Sequence, residues 1–194
     1  MKELNIIISG VGGQGIILSS EILALSAMES GFDVKKSEVH GMAQRGGSVV
    51  SHVRIAKKVY SPLIEIGKGD ILLSFEKAET LRWVHYLKKN SPVIIVNDLE
   101  LIPPIVSLGL EEYPRDIEKT LGKITEKLYF IPAVKLAEKI GNIRSFNILL
   151  LGVLSNFLPF EEKIWEKIIR ENSPAEFSEI NINAFKEGKN FLKI

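Results

Sequence analysis

The chain has 194 residues, 45% of them hydrophobic, and a formal net charge of +1, which is enough for a sizeable core and indicates no general attraction to nucleic acid or to an anionic membrane. It has no cysteine and three histidines, which excludes disulfides, thiolate nucleophiles and cysteine-ligated iron–sulfur clusters and disfavours a zinc site. No apolar run reaches the roughly 20 residues of a membrane-spanning helix, and the N-terminus lacks a signal-peptide pattern. We therefore expect a cytoplasmic protein, and frequent Ile, Lys and Glu favour a thermophilic source.

The first half predicts strands around one helix. Leu4 to Ser9 is an apolar run typical of a strand buried on both faces, a helix follows and stops at Gly31, and residues 33–39 predict a second strand. This βαβ start predicts a parallel pair with a right-handed crossover. Residues 40–47 are a predicted loop, and the alternating segment 48–56 predicts a strand whose short link favours antiparallel or displaced pairing.

The second half continues the alternation. Strands are predicted at 70–75, 92–97 and 127–132, and helices at 76–90, 113–125, 133–141, 145–157, 161–172 and 184–192. Prolines make residues 103–109 short and extended at best. We predict one domain over residues 1–194, with a helical C-terminal part from about 157. Its fold class is a three-layer α/β fold with a mainly parallel, mixed sheet, helices on both faces and a Rossmann-like start.

The segment "GVGGQG" follows the first strand and opens the first helix. Gly10, Gly12 and Gly15 match the G-x-G-x-x-G pattern, and the free N–H groups of the first helical turn favour an anion. The same glycines are expected where a strand and a helix simply pack closely. A dinucleotide site also needs an acidic residue at the end of the second strand, where lysines stand and Glu38 comes slightly late.

A second glycine loop, "VHGMAQRGGSV", has a planar cation in Arg45 that suits a phosphate or a carboxylate. Alternatively, Arg45 pairs with a structural acid such as Glu38. Neither loop supplies a catalytic residue or a metal ligand. The predicted binding residues are Gly10, Gly12, Gly13, Gln14 and Gly15 of the first loop and His40, Gln44, Arg45, Gly46 and Gly47 of the second.

Three other polar groups have structural and functional interpretations. Glu76 and Glu79 are expected in a solvated, charge-balanced first turn rather than in a paired carboxylate site. If Glu76 faces the loop at 40–47, it orients Arg45. Arg144 and Asn147 either cap a helix, which we favour, or border the same cleft as the glycine loops. The polar face of the strand at 48–56, which includes His52 and Arg54, indicates an exposed edge or an interface.

Four segments occur in order: "GVGGQGI", "SEVHGMAQRGGSVVSHVRI", "DILLSFEKAETLR" and "IGNIRSFNILLLG". Together they resemble the gamma-type component of 2-oxoacid:ferredoxin oxidoreductases over about Leu4 to Leu154. The "VHGMAQRGGSV" loop is most similar to the small beta subunit of the indolepyruvate branch of that family.

The resemblance implies a subunit that is inactive alone. Holoenzymes of this kind decarboxylate a 2-oxo acid, here indolepyruvate or another aryl pyruvate, on thiamine diphosphate, pass electrons through iron–sulfur clusters to ferredoxin, and transfer the acyl group to coenzyme A. Thiamine diphosphate, Mg and 4Fe-4S clusters are expected on a larger catalytic (alpha) subunit, and no cofactor on this chain. Gly69 and Asp70 with Asn97 imitate a thiamine motif, but Ile71 replaces its second glycine, so we treat the match as coincidence.

Three hypotheses stay open from the sequence. The favoured one is the accessory subunit, with both glycine loops facing the partner's active site or the access path of coenzyme A, and with a possible homodimer when the chain is isolated. The second is a stand-alone oxidoreductase that binds NAD(P) or a flavin. The third is a structural or regulatory homologue that no longer joins the complex.

Overall fold

Aliphatic and β-branched runs form one six-stranded mixed sheet. It is seen in a computed structural model that describes residues 3–40 and 46–192. The strands are β1 Leu4–Val11, β2 Asp33–His40, β3 Ser48–Ala56, β4 Ile71–Ser74, β5 Val93–Asn97 and β6 Leu128–Ile131.

The strand order is β2-β3-β1-β4-β5-β6, and β1, β4, β5 and β6 run parallel to one another. The predicted parallel pairing of β1 with β2 is wrong, because β3 lies between them and is antiparallel to both. β1 pairs with β3 along the whole length of β1, from Leu4 with Ile55 to Val11 with Ser48. The predicted antiparallel excursion is therefore confirmed, and it separates the two strands that a dinucleotide-binding unit would place side by side.

Eight α-helices occur in the described part of the chain: α1 Ile16–Glu29, α2 Lys77–Trp83, α3 Pro104–Ser107, α4 Ile117–Gly122, α5 Ala133–Ile140, α6 Phe146–Ser155, α7 Glu162–Glu171 and α8 Ser178–Phe191. Short 3-10 turns occupy Val84–Tyr86, Ile143–Ser145 and Ala175–Phe177. The extended structure predicted for 103–109 is wrong, because Pro104 begins α3. Proline is tolerated in a first helical turn, where its missing N–H has no intrahelical partner.

Successive side chains of each strand point to opposite faces of the sheet, and each face has its own hydrophobic core. Ile6 and Ile8 belong to the larger core, with residues of α1, α5, α6, α7 and α8. Ile7 and Leu72 belong to the smaller one, with Ile117 and Leu121 of α4. Helices therefore cover both faces, as predicted. None of the helices within 3–40 and 46–192 is long and apolar enough to cross a bilayer.

The closest helix contact joins α6 to α8. A Cβ atom at Gly152 would overlap the carbonyl oxygen of Phe185, and one at Gly188 would overlap that of Leu149. Trp165 of α7 stacks on Phe185 with ring centroids 5.4 Å apart. The helices beyond residue 157 are thus part of the main core.

Candidate functional site

The first glycine loop lies at the carboxyl end of β1 and leads directly into α1. Gly15 precedes the helix with φ +86°, and Gly13 has φ +103°, both in the left-handed region that favours glycine. α1 has 14 residues and no acidic residue in its first turn. Its first N–H groups therefore face the loop without an intrahelical acceptor, as the sequence predicts for an anion site.

Gln14 closes this loop with both ends of its side-chain amide. Its Oε1 accepts a hydrogen bond from the N–H of Val11 at 2.7 Å, and its Nε2 donates to the carbonyl of Phe75 at 3.1 Å. Gly10 must lack a Cβ here, because one would lie 2.6 Å from that Oε1 and 2.8 Å from the Cβ of Phe75. The predicted binding residue Gln14 therefore ties the carboxyl end of β1 to that of β4.

The two glycine loops are joined through their backbones. Gly12 donates its N–H to the carbonyl of Gly47 at 2.8 Å, and Gly46 donates to the carbonyl of Gly12 at 3.3 Å. The N–H of Gln14 donates to Val11. Two of the predicted anion donors are thus used internally, whereas the N–H groups of Gly13 and Gly15 have no acceptor in the described part of the chain.

The rest of the second loop is only partly in view. The backbone of His40 ends β2, paired with Val49. Its side chain and residues 41–45, which include the predicted site residues Gln44 and Arg45, lie outside the described residues. The functional assignments of His40, Gln44 and Arg45 stay predictions.

A cleft of about 350 Å³ opens beside the first loop, between the start of α1 and the segments that lead into α6 and α8. Arg144 and Asn147 line it together with Gly13 and Gly15. Arg144 is exposed, and its guanidinium has no partner among the described residues. Both residues border the cleft, but the Oδ1 of buried Asn147 accepts the N–H of Ile148 at 2.7 Å, which fits the capping interpretation. A functional role for Arg144 stays a prediction.

The cleft has an apolar side as well as a cationic one. Leu18 and Phe177 line it and are partly exposed. Asn181 of α8 also lines it and accepts a hydrogen bond from the hydroxyl of Ser145 at 2.6 Å. The cleft thus offers free N–H groups, one unpaired cation and apolar surface, a combination suited to an anionic ligand with an apolar portion.

Glu76, the N-cap of α2, and Glu79 within α2 are both buried, so the predicted solvated turn is wrong. Glu76 is 1% and Glu79 is 7% exposed. Glu76 accepts hydrogen bonds from the N–H of Glu79 at 2.9 Å, from the N–H of Leu101 at 3.2 Å and from the hydroxyl of Tyr113. The pKa of Tyr113 is raised above its usual range, mainly by burial and secondly by this hydrogen bond to Glu76. Glu76 therefore anchors the chain that follows β5.

Glu79, rather than Glu76, reaches the second glycine loop. It accepts hydrogen bonds from the hydroxyl of Ser48, which follows Gly47, and from the Nε1 of Trp83 at 3.3 Å. Arg82 donates to its other oxygen at 3.1 Å. These partners explain how a second carboxyl group is buried beside the site.

The strand that carries this polar face is not an exposed edge, because β3 pairs with β1 on one side and with β2 on the other. The alternative, an interface, stays a prediction. His52 is buried, and its Nδ1 accepts the N–H of Ile64 at 3.2 Å. Burial lowers its pKa. Arg54 donates to Asn5 and to Glu3 at the amino edge of the sheet.

The residues that resemble a thiamine motif or the acidic residue of a dinucleotide motif do not come together to form such a site. Asp70 lies at the amino edge of the sheet and binds the N–H of Asn5 and the amine of Lys88, whereas Asn97 ends β5 at the carboxyl edge. Glu38 accepts hydrogen bonds from Ser20 and Lys36 on a strand that β3 separates from β1. Among the residues in view, none forms a cluster of three or more His, Cys, Asp or Glu that could hold a metal ion.

A larger depression of about 920 Å³ lies between α2, the end of β5 and α4. Its lining is mixed in charge, and Lys77 pairs there with Asp98 at 2.6 Å and with Glu100 at 3.1 Å. The hydrogen bond to Asp98 raises the pKa of Lys77. Four acidic residues line this depression against three basic ones, whereas the glycine-loop cleft is lined by Arg144 and by no acidic residue. The depression is therefore less suited to an anion than the cleft.

Residues 5–191 match the sequence profile described as pyruvate ferredoxin/flavodoxin oxidoreductase. The chain belongs to this family. Members of the pyruvate ferredoxin/flavodoxin oxidoreductase family with high similarity include the indolepyruvate oxidoreductase subunit IorB of Thermococcus kodakarensis, which is 41% identical over 97% of this chain and 95% of its own length.

Two solved structures show the same fold. The gamma subunit of a keto/oxoacid ferredoxin oxidoreductase from Geobacter sulfurreducens superposes with a TM-score of 0.72 at 24% identity, covering 96% of both chains. A 2-oxoglutarate:ferredoxin oxidoreductase from Magnetococcus marinus, solved with 2-oxoglutarate, coenzyme A and succinyl-CoA, superposes with a TM-score of 0.74 at 22% identity. That match covers 98% of this chain and 31% of the other, so the fold also occurs within a longer polypeptide.

Proposed function

We propose that this chain is the small, non-cofactor-bearing subunit of a cytoplasmic indolepyruvate (aryl pyruvate):ferredoxin oxidoreductase. The complex converts the 2-oxo acid and coenzyme A to an acyl-CoA and CO2, with the electrons passed to ferredoxin. The carrying observation is the 41% identity to an indolepyruvate oxidoreductase subunit over nearly the whole chain. Since the chain has no cysteine, a larger alpha subunit holds the 4Fe-4S clusters, together with thiamine diphosphate and Mg.

Within that complex, the glycine-loop cleft binds an anionic part of coenzyme A, such as a phosphate. The N–H groups of Gly13 and Gly15 and the start of α1 supply donors, and Arg144 supplies an unpaired cation. Arg45 is the second cation that the sequence predicts for the same place. The coenzyme A in the Magnetococcus marinus enzyme supports this ligand class.

The first test is reconstitution with the purified larger subunit. Co-expressed chains should form one complex that reduces ferredoxin, or a redox dye, only when a 2-oxo acid and coenzyme A are both present. Comparing indolepyruvate, pyruvate and 2-oxoglutarate separates the substrate from the family chemistry. Turnover by the isolated small chain, or tight flavin or NAD(P) binding by it, would contradict the proposal.

The second test concerns the cleft. In the reconstituted enzyme, Arg144→Ala and Arg45→Ala should each raise the apparent KM for coenzyme A roughly tenfold, since a hydrogen bond to a charged group contributes about 1.5 kcal/mol or more. Lys57→Ala removes an exposed cation at the opposite edge of the sheet and should leave that constant unchanged. An unchanged KM for coenzyme A in both arginine variants would contradict the proposal that coenzyme A binds in the cleft.

A further inference from the structure

The segment from Leu101 to Leu110, here called the 101–110 segment, exposes a run of apolar side chains. Leu108 and Leu110 are 74% and 72% exposed. The exposed large apolar residues of the segment are Leu101, Ile102, Ile105, Leu108 and Leu110. Single exposed leucines are ordinary, but five within ten residues form a patch of the kind that marks an interaction surface.

These side chains are exposed although the backbone that carries them is well ordered by hydrogen bonds. Gly109 has φ +71° after α3, and the N–H of Leu110 donates to the carbonyl of Ile105 at 3.1 Å, which is the bonding of a Schellman helix end. At the other end, Leu101 is fixed by its hydrogen bond to Glu76. The segment therefore presents a preformed apolar surface.

The 101–110 segment lies at the same edge of the sheet as the glycine loops. It follows β5, which is parallel to β4, and β4 is parallel to β1. Phe75 and Glu76 connect the two places, because Gln14 donates to the carbonyl of Phe75 and Leu101 donates to Glu76. A macromolecule that covers the cleft edge can thus reach this segment without crossing the sheet.

Acidic side chains flank the apolar patch along the chain, and three of them, Asp98, Glu100 and Glu112, are paired with Lys77 or Arg115. Residues 98–118 contain six acidic residues and one basic residue, Arg115. The exposed acids are Asp98, Glu100, Glu111, Glu112, Asp116 and Glu118. An apolar centre with a charged rim is the usual layout of a protein interface. The rim selects a partner whose facing surface is apolar at its centre and rich in Lys and Arg around it.

We propose that the 101–110 segment is a docking surface for such a basic-rimmed apolar face on the larger subunit. This inference rests on the proposed function, because the larger subunit is the macromolecule that must meet the cleft edge. A symmetric dimer of this chain through the same patch would bring two acidic rims together, so self-association is the less favoured occupant.

The test measures binding of the purified larger subunit by calorimetry at fixed salt. The double variant Leu108→Asp/Leu110→Asp should weaken the Kd at least about tenfold, since it removes two apolar anchors and places charge in the interface. Ile66→Asp is the matched control, because Ile66 is 67% exposed at the opposite edge, between β3 and β4. Its Kd should equal that of the wild type. Thermal unfolding of all three chains should coincide, since every altered side chain is exposed.

The acidic rim has its own readout. Glu111→Lys/Glu112→Lys should slow association and flatten the loss of rate with rising salt, because rim charges act mainly on the encounter rate. If the wild type binds the larger subunit and both double variants bind equally well, this inference fails while the proposed function stands. A wild type that does not bind overturns both. Conversion of a homodimer to a monomer with unchanged hetero-assembly, or loss of ferredoxin reduction with unchanged Kd, would assign the patch to another occupant and overturn the inference.

Discussion

Gly15 lies so close to Asn147 that a Cβ atom on Gly15 would overlap the Nδ2 of Asn147. This contact sets how near the start of α1 comes to the start of α6, and hence the width of the cleft. We expect Gly15→Ala to destabilise the fold by about 2 kcal/mol or more, because it adds a steric overlap to the strain of a left-handed residue. Urea unfolding measures this change.

A matched control separates the two causes. Gly31 has φ +84°, close to the +86° of Gly15, but a Cβ there meets nothing within 4 Å. Gly31→Ala should therefore cost only about 1 kcal/mol of backbone strain. Adding Asn147→Ala to Gly15→Ala should recover part of the loss, as expected for residues in contact. Equal losses at both glycines would show that the overlap relaxes without cost.

Because of the close α6–α8 contact, we expect a glycine-to-alanine substitution to destabilise the fold within that contact but not outside it. Gly152→Ala or Gly188→Ala places a Cβ against a backbone carbonyl that cannot rotate away, so we expect a loss of about 3 kcal/mol or failure to fold. Gly122→Ala, at the end of α4, meets nothing within 4 Å and should be neutral or stabilise by up to about 1 kcal/mol. Chemical denaturation of the three variants tests this; tolerance at Gly152 would contradict the close packing.

Tyr113→Phe removes the hydroxyl that donates to Glu76. We expect a loss of about 1 kcal/mol at neutral pH from the missing hydrogen bond. Since burial and Glu76 raise the pKa of Tyr113 in the folded state, its stabilising contribution is present below the unfolded pKa of about 10 and is lost as the pH rises above it. The stability difference between wild type and variant should shrink from pH 9 to pH 11, and a constant difference would exclude this linkage.

The buried His52 should make the free energy of unfolding depend on pH at mildly acidic pH. Its folded pKa is lowered by burial from 6.5, so its contribution is complete above that value and is lost as the pH falls from the unfolded pKa toward the folded one. His52→Asn retains an acceptor for the N–H of Ile64 but does not titrate, so it should flatten stability between about pH 5 and pH 7. His85→Asn, at an exposed histidine, should keep the wild-type slope. An unchanged slope in His52→Asn would place the acid sensitivity elsewhere.

Local pattern predicted the elements of the fold well, and sequence-distant pairing accounts for most errors. The apolar runs at Leu4–Ser9, 70–75 and 92–97 became the central strands because burial on both faces leaves a clear signature. Nothing local to β1 or β2 indicated that β3 would separate them, since strand order is decided by contacts across the sheet. The short helix α3 was missed because its prolines occupy the one helical turn that accepts them.

In the candidate site, too, local sequence predicted the nearby features but not the contacts between residues that are distant in the chain. The glycine spacing predicted the loop and the start of α1 directly after it, yet it could not show that Gly12 donates to Gly47. Burial of Glu76 and Glu79 was missed because Tyr113 and Ser48 lie 37 and 31 residues away in the chain. Arg144 belonged to a recognised motif, but only the fold brings it beside Gly15.

The hydrogen bond from Ser145 to Asn181 connects the last helix, α8, to the segment that leads into α6. Because Phe177 and Asn181 form one wall of the cleft and Gly188 packs against the backbone of α6, removing residues from the C-terminal end would open the cleft before it disturbed the sheet. Affinity tags and fusion partners are therefore better attached at the amino edge, where Leu4 begins β1 on the side away from the cleft.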